Sequence, residues 1–266
     1  MSGFTEISPK QLSRLIGLPD APILLDLRIP EDSAAIPYGL PCARRIAFQD
    51  VGDHLAELQG KHVITICHKG RKISHGAAAL LRANGIQAEV LAGGIVAWQE
   101  EQLPTIPHAA LPNTSLWVTR ARPKIDRIAC PWLIRRFIDP GATFLFVPAS
   151  DVLEVASRFD ATALDVPDAP FTHEGALCTF DAVCSAFTLE TEALARLADV
   201  IRAADTDQHD ASPQAAGLLA FSVGLSRQYK DDNTQLEAAM PFYDALYRWA
   251  RDGFTETHDW QEGPAT

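Results

Sequence analysis

Cys67 closes the apolar run His62-Val63-Ile64-Thr65-Ile66 and opens the stretch His68-Lys69-Gly70-Arg71-Lys72, just before the helix-like segment Ile73 to Asn84. A thiol on a turn from strand into helix meets backbone N–H donors and the positive end of the helix dipole. Basic side chains at 68, 69, 71 and 72 add positive charge around it. The arrangement suits a thiolate nucleophile that attacks an anionic substrate and steadies the anion it releases. A cysteine that only packs at the end of a strand, as free cysteines commonly do, needs no such cationic frame.

Two polar clusters stand apart in the second half of the chain: Thr172-His173-Glu174-Gly175 with Cys178-Thr179-Phe180-Asp181, and Asp205-Thr206-Asp207-Gln208-His209-Asp210. Imidazole and carboxylates together suit a borderline or hard divalent metal, and His173, Glu174, Asp205 and Asp207 are the candidate ligands for zinc, manganese or iron. There is no H-E-x-x-H and no Cys-x-x-Cys, so no local spacing fixes a zinc site. The alternative for 205–210 is a solvated helix terminus and turn. Cys178 would pull the preference toward zinc as a ligand, but ahead of Phe180 on an apolar helix face it reads as a packed residue.

These residues must be positioned by regular elements. Strand-like 22–26, 62–66 and 88–91 alternate with helix-like 8–17, 73–84 and 94–101, the pattern of a βα array with a parallel sheet. Ser8-Pro9-Lys10-Gln11 reads as a capping box. Prolines 104, 107 and 112 then forbid a continuous helix and favour an extended linker. The expected division is 1–104, a linker at 105–114, and 115–266. In the last part 116–119 and 143–147 read as strands, and 131–138, 189–204 and 213–224 as helices. Leu236, Met240, Tyr243, Tyr247 and Ala250 recur at four- and three-residue steps, an amphipathic stripe for a core or a homodimer interface.

The first hundred residues resemble rhodanese domains. The resemblance rests on Ile23-Leu24-Leu25-Asp26-Leu27-Arg28 with its Asp-x-Arg ending, on Cys67-x-x-Gly70, and on Leu91-Ala92-Gly93-Gly94 followed by Trp98. It implies a parallel sheet flanked by helices, with Cys67 cycling between thiol and persulfide. Substrate contacts are expected from His68, Lys69, Gly70, Arg71 and Lys72, with Asp26 and Arg28 as a supporting ion pair or a substrate-side contact. The donor would be a small sulfur anion such as thiosulfate, the acceptor a thiol or cyanide, and no cofactor would be required. Where many active rhodaneses carry Arg and then Ser, Lys72 and Ile73 stand here, with Ser74 one step later. Lys keeps the charge but loses the planar fork; Arg71, one place earlier, either supplies that fork or points to solvent. Ile73 also occupies the position where the Cys-x5-Arg loop of cysteine phosphatases has its arginine, which argues against phosphoryl transfer.

From Trp117-Val118-Thr119-Arg120, through Asp126 to Asp139 and His173 to Asp181, to Asp244-Ala245-Leu246-Tyr247, the chain resembles the C-terminal domain of the chromate-resistance B family. That resemblance implies an association with chromate and a helix-rich α/β second domain. Chromate and thiosulfate are both compact dianions, so chromate is a further candidate ligand of the cationic loop.

Hydrophobic residues at 47% and charged ones at 21% over 266 residues fit a globular chain of more than one domain. A net charge of -11 disfavours broad DNA or anionic-membrane binding. The N-terminal residues lack a basic patch followed by an apolar core, and five cysteines without close pairing fit a reducing compartment, so a cytoplasmic protein is expected. The first reading is a rhodanese-type sulfurtransferase associated with chromate resistance. The alternatives are a chromate- or redox-sensing regulator, and a metal-dependent C-terminal enzyme with the rhodanese part as accessory.

Overall fold

The computed structural model describes residues 5–256; the few terminal residues on either side that the expected domain division also covers lie outside it. β1 (Glu6–Ile7) leads into α1 (Pro9–Ser13), and β2 (Ile23–Asp26) into α2 (Pro30–Ala35). β3 (Tyr38–Gly39), β4 (Ala43–Arg45), a 3-10 stretch at Phe48–His54 and α3 (Leu55–Leu58) follow. β5 (His62–Ile66), α4 (Lys72–Ala83), β6 (Gln87–Leu91) and α5 (Gly94–Glu100) complete the array. The sheet runs β1-β6-β5-β2-β4 and its pairings are all parallel. The capping box is present, with Ser8 Oγ accepting from the Gln11 N–H and the Gln11 side chain accepting from the Ser8 N–H. The first helix is shorter than 8–17: it ends at Ser13 and continues in turns to Gly17, at φ +83, where a Cβ would lie 2.4 Å from the Phe137 ring.

Strand alternation explains how the sheet is covered. Leu24, Ile64, Ile66 and Leu91 face α1 and α5, packing with Leu12, Ile95 and Trp98. Leu25, Val63, Ala88 and Val90 face the other way, onto Val51, Leu58, Ala77 and Leu81. This is the period-two pattern of strands buried on both faces, as a parallel sheet between helices requires.

The segment after α5 is held down. β7 (Ile106–Pro107) pairs antiparallel with β3, and Trp98 Nε1 donates to the Pro104 carbonyl at 2.8 Å. β8 (Leu116–Arg120), α6 (Asp126–Leu133), β9 (Thr143–Val147), α7 (Val152–Phe159) and β10 (Thr162–Ala163) form a second parallel sheet in the order β10-β8-β9. α8 (Thr179–Ala186), α9 (Glu192–Asp205), α10 (Ala215–Gln228) and α11 (Asp232–Arg248) supply the helical part. α6 begins five residues ahead of the expected 131: Pro131 sits inside it rather than at its start, and the helix runs on into a π-helical turn at Ile134–Ile138. The elements that the sequence does not announce, β1, β3, β4, β7, β10, α2, α3, α7 and α8, are at most eight residues long, too short for periodicity to stand out.

The α11 stripe is core. Leu236, Met240, Tyr243, Tyr247 and Ala250 are all buried within the chain, in one cluster with Trp117, Trp132, Phe137 and Phe144. The same cluster contains Ile7, Leu12, Ile16, Leu40 and Ile106, so the two halves share a continuous apolar interior. Polar contacts reinforce the seam: Cys42 N–H donates to the Phe137 carbonyl at 2.9 Å and Arg251 to the Arg14 carbonyl at 3.0 Å. Among the described residues no helix is long and apolar enough to cross a membrane.

Candidate functional site

Cys67 directly follows β5, and its loop is shaped from outside by Gly94 of the next strand-to-helix turn. Ile95 N–H donates to the Cys67 carbonyl at 3.1 Å and Val96 N–H to that of His68 at 3.2 Å. Gly94, at φ +63, approaches so closely that a Cβ there would lie 2.2 Å from the Cys67 carbonyl oxygen and 2.5 Å from the Gly70 nitrogen. Gly70, at φ +60, makes the reciprocal approach, with a Cβ falling 2.4 Å from the Leu91 carbonyl oxygen. Only glycine combines this backbone conformation with this contact distance. Gly94, the second glycine of the Gly-Gly signature, therefore acts as the wall against which the Cys67 loop is moulded.

Inside that mould Cys67 Sγ accepts the Arg71 N–H at 3.3 Å, and the residue is only 5% exposed. Gly70 is buried, His68 half-buried, and Lys69, Arg71 and Lys72 exposed at the rim. His68 Nδ1 is a buried ring nitrogen without a partner among the described residues. The sulfur thus has a backbone donor beside it, and its loop carries three exposed cationic residues, Lys69, Arg71 and Lys72, which suits a compact anion.

Asp26 and Arg28 are drawn into a different role. Arg28 donates to the Asp26 carboxylate through Nε at 2.9 Å, to the Ile36 carbonyl at 2.9 Å and to the Tyr38 carbonyl at 2.6 Å, with no side-chain exposure. All its nitrogens are engaged by the protein, so the pair takes the form of a supporting ion pair that braces the loop after β2. A second contact reaches His108 in the linker, 3.3 Å from the guanidinium. Burial and the Arg28 charge hold the His108 pKa below its ordinary value.

The second half brings His173 and Asp205 together and adds two carboxylates that the clusters in the sequence did not single out as ligands. His173 Nε2 lies 3.3 Å from Asp205 Oδ2, 3.4 Å from Asp165 Oδ1 and 3.5 Å from Asp126 Oδ2. Donor atoms of Asp126, His173 and Asp205 all lie within 4.8 Å of one another. Asp126 opens α6 and caps α8, accepting the Thr179 N–H at 2.8 Å and the Phe180 N–H at 2.9 Å. Asp165, at φ +56 just past β10, is held by Arg120 at 2.7 Å and Arg127 at 3.2 Å and accepts from the Thr179 hydroxyl at 3.0 Å. Arg120 ends β8, so the cluster sits at the carboxyl edge of the parallel sheet, where open α/β sheets place ligands.

Burial and the neighbouring Asp126 push the Asp205 carboxyl up to about 6, while a hydrogen bond to Asp126 raises the His173 pKa against its own burial. Glu174 and Asp207 do not join them. The Glu174 backbone pairs with Leu177 in the turn that presents His173, and Asp207 points out, 93% exposed, with its nearest cation His209 at 3.6 Å. Cys178 is fully buried at the start of α8 beside Asp181 and is no ligand. Asp126 lies inside a motif quoted above for resemblance, yet nothing in its immediate neighbours marks a ligand; Asp165 follows a strand of two residues and carries no local signal at all.

A cysteine loop of this shape on a five-stranded parallel sheet, sharing an apolar interior with a second, separate sheet that carries its own polar cluster, defines a rhodanese-like module joined to an α/β partner. The family model for the rhodanese-like domain matches residues 8–101, and that for the C-terminal domain of ChrB matches residues 117–250, about half of the chain. The chain belongs to the ChrB C-terminal domain family and carries a rhodanese-like domain ahead of it.

Among curated relatives, Protein ChrB of Cupriavidus metallidurans is 37% identical over 132 residues, which are 49% of this chain and 39% of that protein. The match thus spans well under half the length of the relative. Among solved structures, a rhodanese-like domain protein from Staphylococcus aureus is 27% identical with a TM-score of 0.31, covering 36% of this chain and 91% of its own. A thiosulfate sulfurtransferase from Pseudomonas aeruginosa is 24% identical with a TM-score of 0.34, covering 38% of this chain and 19% of its own.

Proposed function

We propose that the chain is a rhodanese-type sulfurtransferase that carries sulfane sulfur on Cys67 and serves chromate resistance through its ChrB-type half. The observation that carries the reading is the Cys67 loop: a buried sulfur receiving the Arg71 N–H, walled by Gly94, on a loop whose Lys69, Arg71 and Lys72 are exposed. The thiolate attacks the outer sulfur of thiosulfate. The bond between that sulfur and the sulfonate breaks, sulfite leaves with the electron pair, and Cys67 becomes a persulfide. Cyanide or a thiolate then takes the outer sulfur, as thiocyanate or a new persulfide, and restores the Cys67 thiolate.

Backbone N–H groups of the loop hold the persulfide, while the rim cations draw in the dianion and steady departing sulfite. Asp26 and Arg28 position the neighbouring loop without touching substrate. Transfer of sulfur from thiosulfate to cyanide by the purified chain, abolished in Cys67→Ser with the fold retained, is the expected result. Transfer that persists in Cys67→Ser overturns the assignment.

A further inference from the structure

We propose that Asp126, His173 and Asp205 bind one divalent cation at the carboxyl edge of the β10-β8-β9 sheet, with Asp165 as an outer partner held by Arg120 and Arg127. The first argument is the position of the imidazole. Its Nε2 is nearly equidistant from three carboxylates, at 3.3, 3.4 and 3.5 Å, brought in from three separate segments of the chain. A single N–H has one proton, and charge-assisted N–H···O bonds run to ~2.7–2.9 Å. None of the three contacts is that short, so hydrogen bonding alone leaves the convergence unexplained. Atoms that share one ion at ~2.0–2.2 Å are instead spaced by roughly 3–3.6 Å in tetrahedral or octahedral shells; the imidazole-to-carboxylate distances fall in that range, and the donor atoms of Asp126, His173 and Asp205 all lie within 4.8 Å of one another.

The second argument is independent of that geometry. Asp205 is the last residue of the fourteen-residue α9, so its carboxylate stands at the negative end of a helix dipole and beside two further carboxylates. A cation at this point offsets both. The Asp126 oxygens already accept backbone N–H bonds from 179 and 180, which locks the orientation of that side chain and leaves a lone pair of Oδ2 facing His173. Arg120, Arg127 and the Thr179 hydroxyl do the same for Asp165. Such second contacts are what hold metal ligands in place.

The donor set is carboxylate oxygen with one imidazole. Cys178 points to Asp181, and the buried Cys130 thiol donates to Oδ1 of Asp126, a contact to a ligand's carboxylate and not a ligand position. Hard or borderline ions of the manganese, iron(II) and zinc type are therefore favoured over copper(I). His173 is 38% exposed, so the ion has an open side toward solvent.

The test is titration of the chelator-treated full chain with Mn(II), followed by electron paramagnetic resonance and calorimetry. One ion per chain is expected. His173→Ala and Asp205→Asn, both at partly exposed positions, each weaken it by at least about tenfold, and Asp207→Asn, at the exposed neighbour, leaves it within about twofold of the parent. Thermal melts show that each variant is folded. Absence of stoichiometric Mn(II) in the parent chain overturns the site, and so does binding as tight as the parent's in either His173→Ala or Asp205→Asn. Sulfur transfer at Cys67 is read in parallel, because the ion site and the sulfurtransferase reading stand or fall separately.

Discussion

Replacing Gly94 by alanine separates the shape of the nucleophile loop from the stability of the sheet beneath it. The new methyl would lie 2.2 Å from the Cys67 carbonyl oxygen, 2.5 Å from the Gly70 nitrogen and 2.7 Å from the His68 carbonyl oxygen, all backbone atoms. Ordinary contact needs more than ~1 Å of further separation, and no side chain can swing aside to give it. The positive φ of +63 adds the left-handed cost of about 1–2 kcal/mol for a residue with a Cβ, and the overpacking about 1–3 more. A loss of roughly 2–5 kcal/mol follows, read from the urea midpoint. Whatever part of the clash is relieved moves Cys67, and a ~1 Å misplacement of a reacting group costs on the order of a hundredfold in rate.

Gly93→Ala is the matched control. Its φ is +70, but its Cβ meets the Ala97 methyl at 2.4 Å and no atom of the Cys67 loop. The expected outcome is that both variants lose stability while only Gly94→Ala loses thiosulfate-to-cyanide transfer. Transfer by Gly94→Ala within about threefold of the parent would refute the claim that this glycine shapes the site.

Arg28→Met leaves the Asp26 carboxylate buried without its partner and should destabilise the chain by about 3–5 kcal/mol, with Asp26→Asn in the same chain recovering part of it; a urea midpoint shift worth under ~1 kcal/mol contradicts the bracing role. Arg71→Ala should raise the KM for thiosulfate more than Lys72→Ala, since a planar fork is harder to replace than a point charge, and the opposite order assigns the anion contact to Lys72. Because burial and Arg28 depress the His108 pKa, the folded state resists protonation there. Its contribution is complete above the ordinary histidine pKa of ~6.5 and falls away as pH drops below it toward the folded value. His108→Gln should therefore lose less stability than the parent between about pH 7.5 and pH 5.5, and equal losses in thermal melts would exclude this role.

Much of the first half is legible because one local rule determines it. Strands buried on both faces read as the apolar runs around Leu24, Ile64 and Val90, and a nucleophile at the end of the middle strand stands out against the cations behind it. The pairing of Cys67 with Gly94 is legible as a motif, but the reason for it, backbone contact across two loops, appears only in three dimensions. In the second half the legible ligands are those whose neighbours in sequence are also polar. That signal finds His173 and Asp205, and it also draws in Glu174 and Asp207, which share the chain segment but not the direction of the side chain.

Asp126 is hidden because the helix it opens contains Pro131, which by itself suggests a later start, and Asp165 because a two-residue strand leaves no pattern. Arg28 takes the ion-pair side of its two expected roles. Its type and place suggest an anion contact, whereas its donors are taken up by carbonyls at 36 and 38 that sequence spacing cannot reveal.

The central claim is that Cys67 carries sulfur, and intact-protein mass spectrometry tests it most directly. After incubation with thiosulfate and removal of small molecules, the chain should gain the mass of one sulfur atom, located to the peptide containing Cys67 and discharged by cyanide with release of thiocyanate. Cys67→Ser should gain nothing. A chain that acquires no sulfur, or acquires it on Cys42, Cys130, Cys178 or Cys184 instead, would contradict the account.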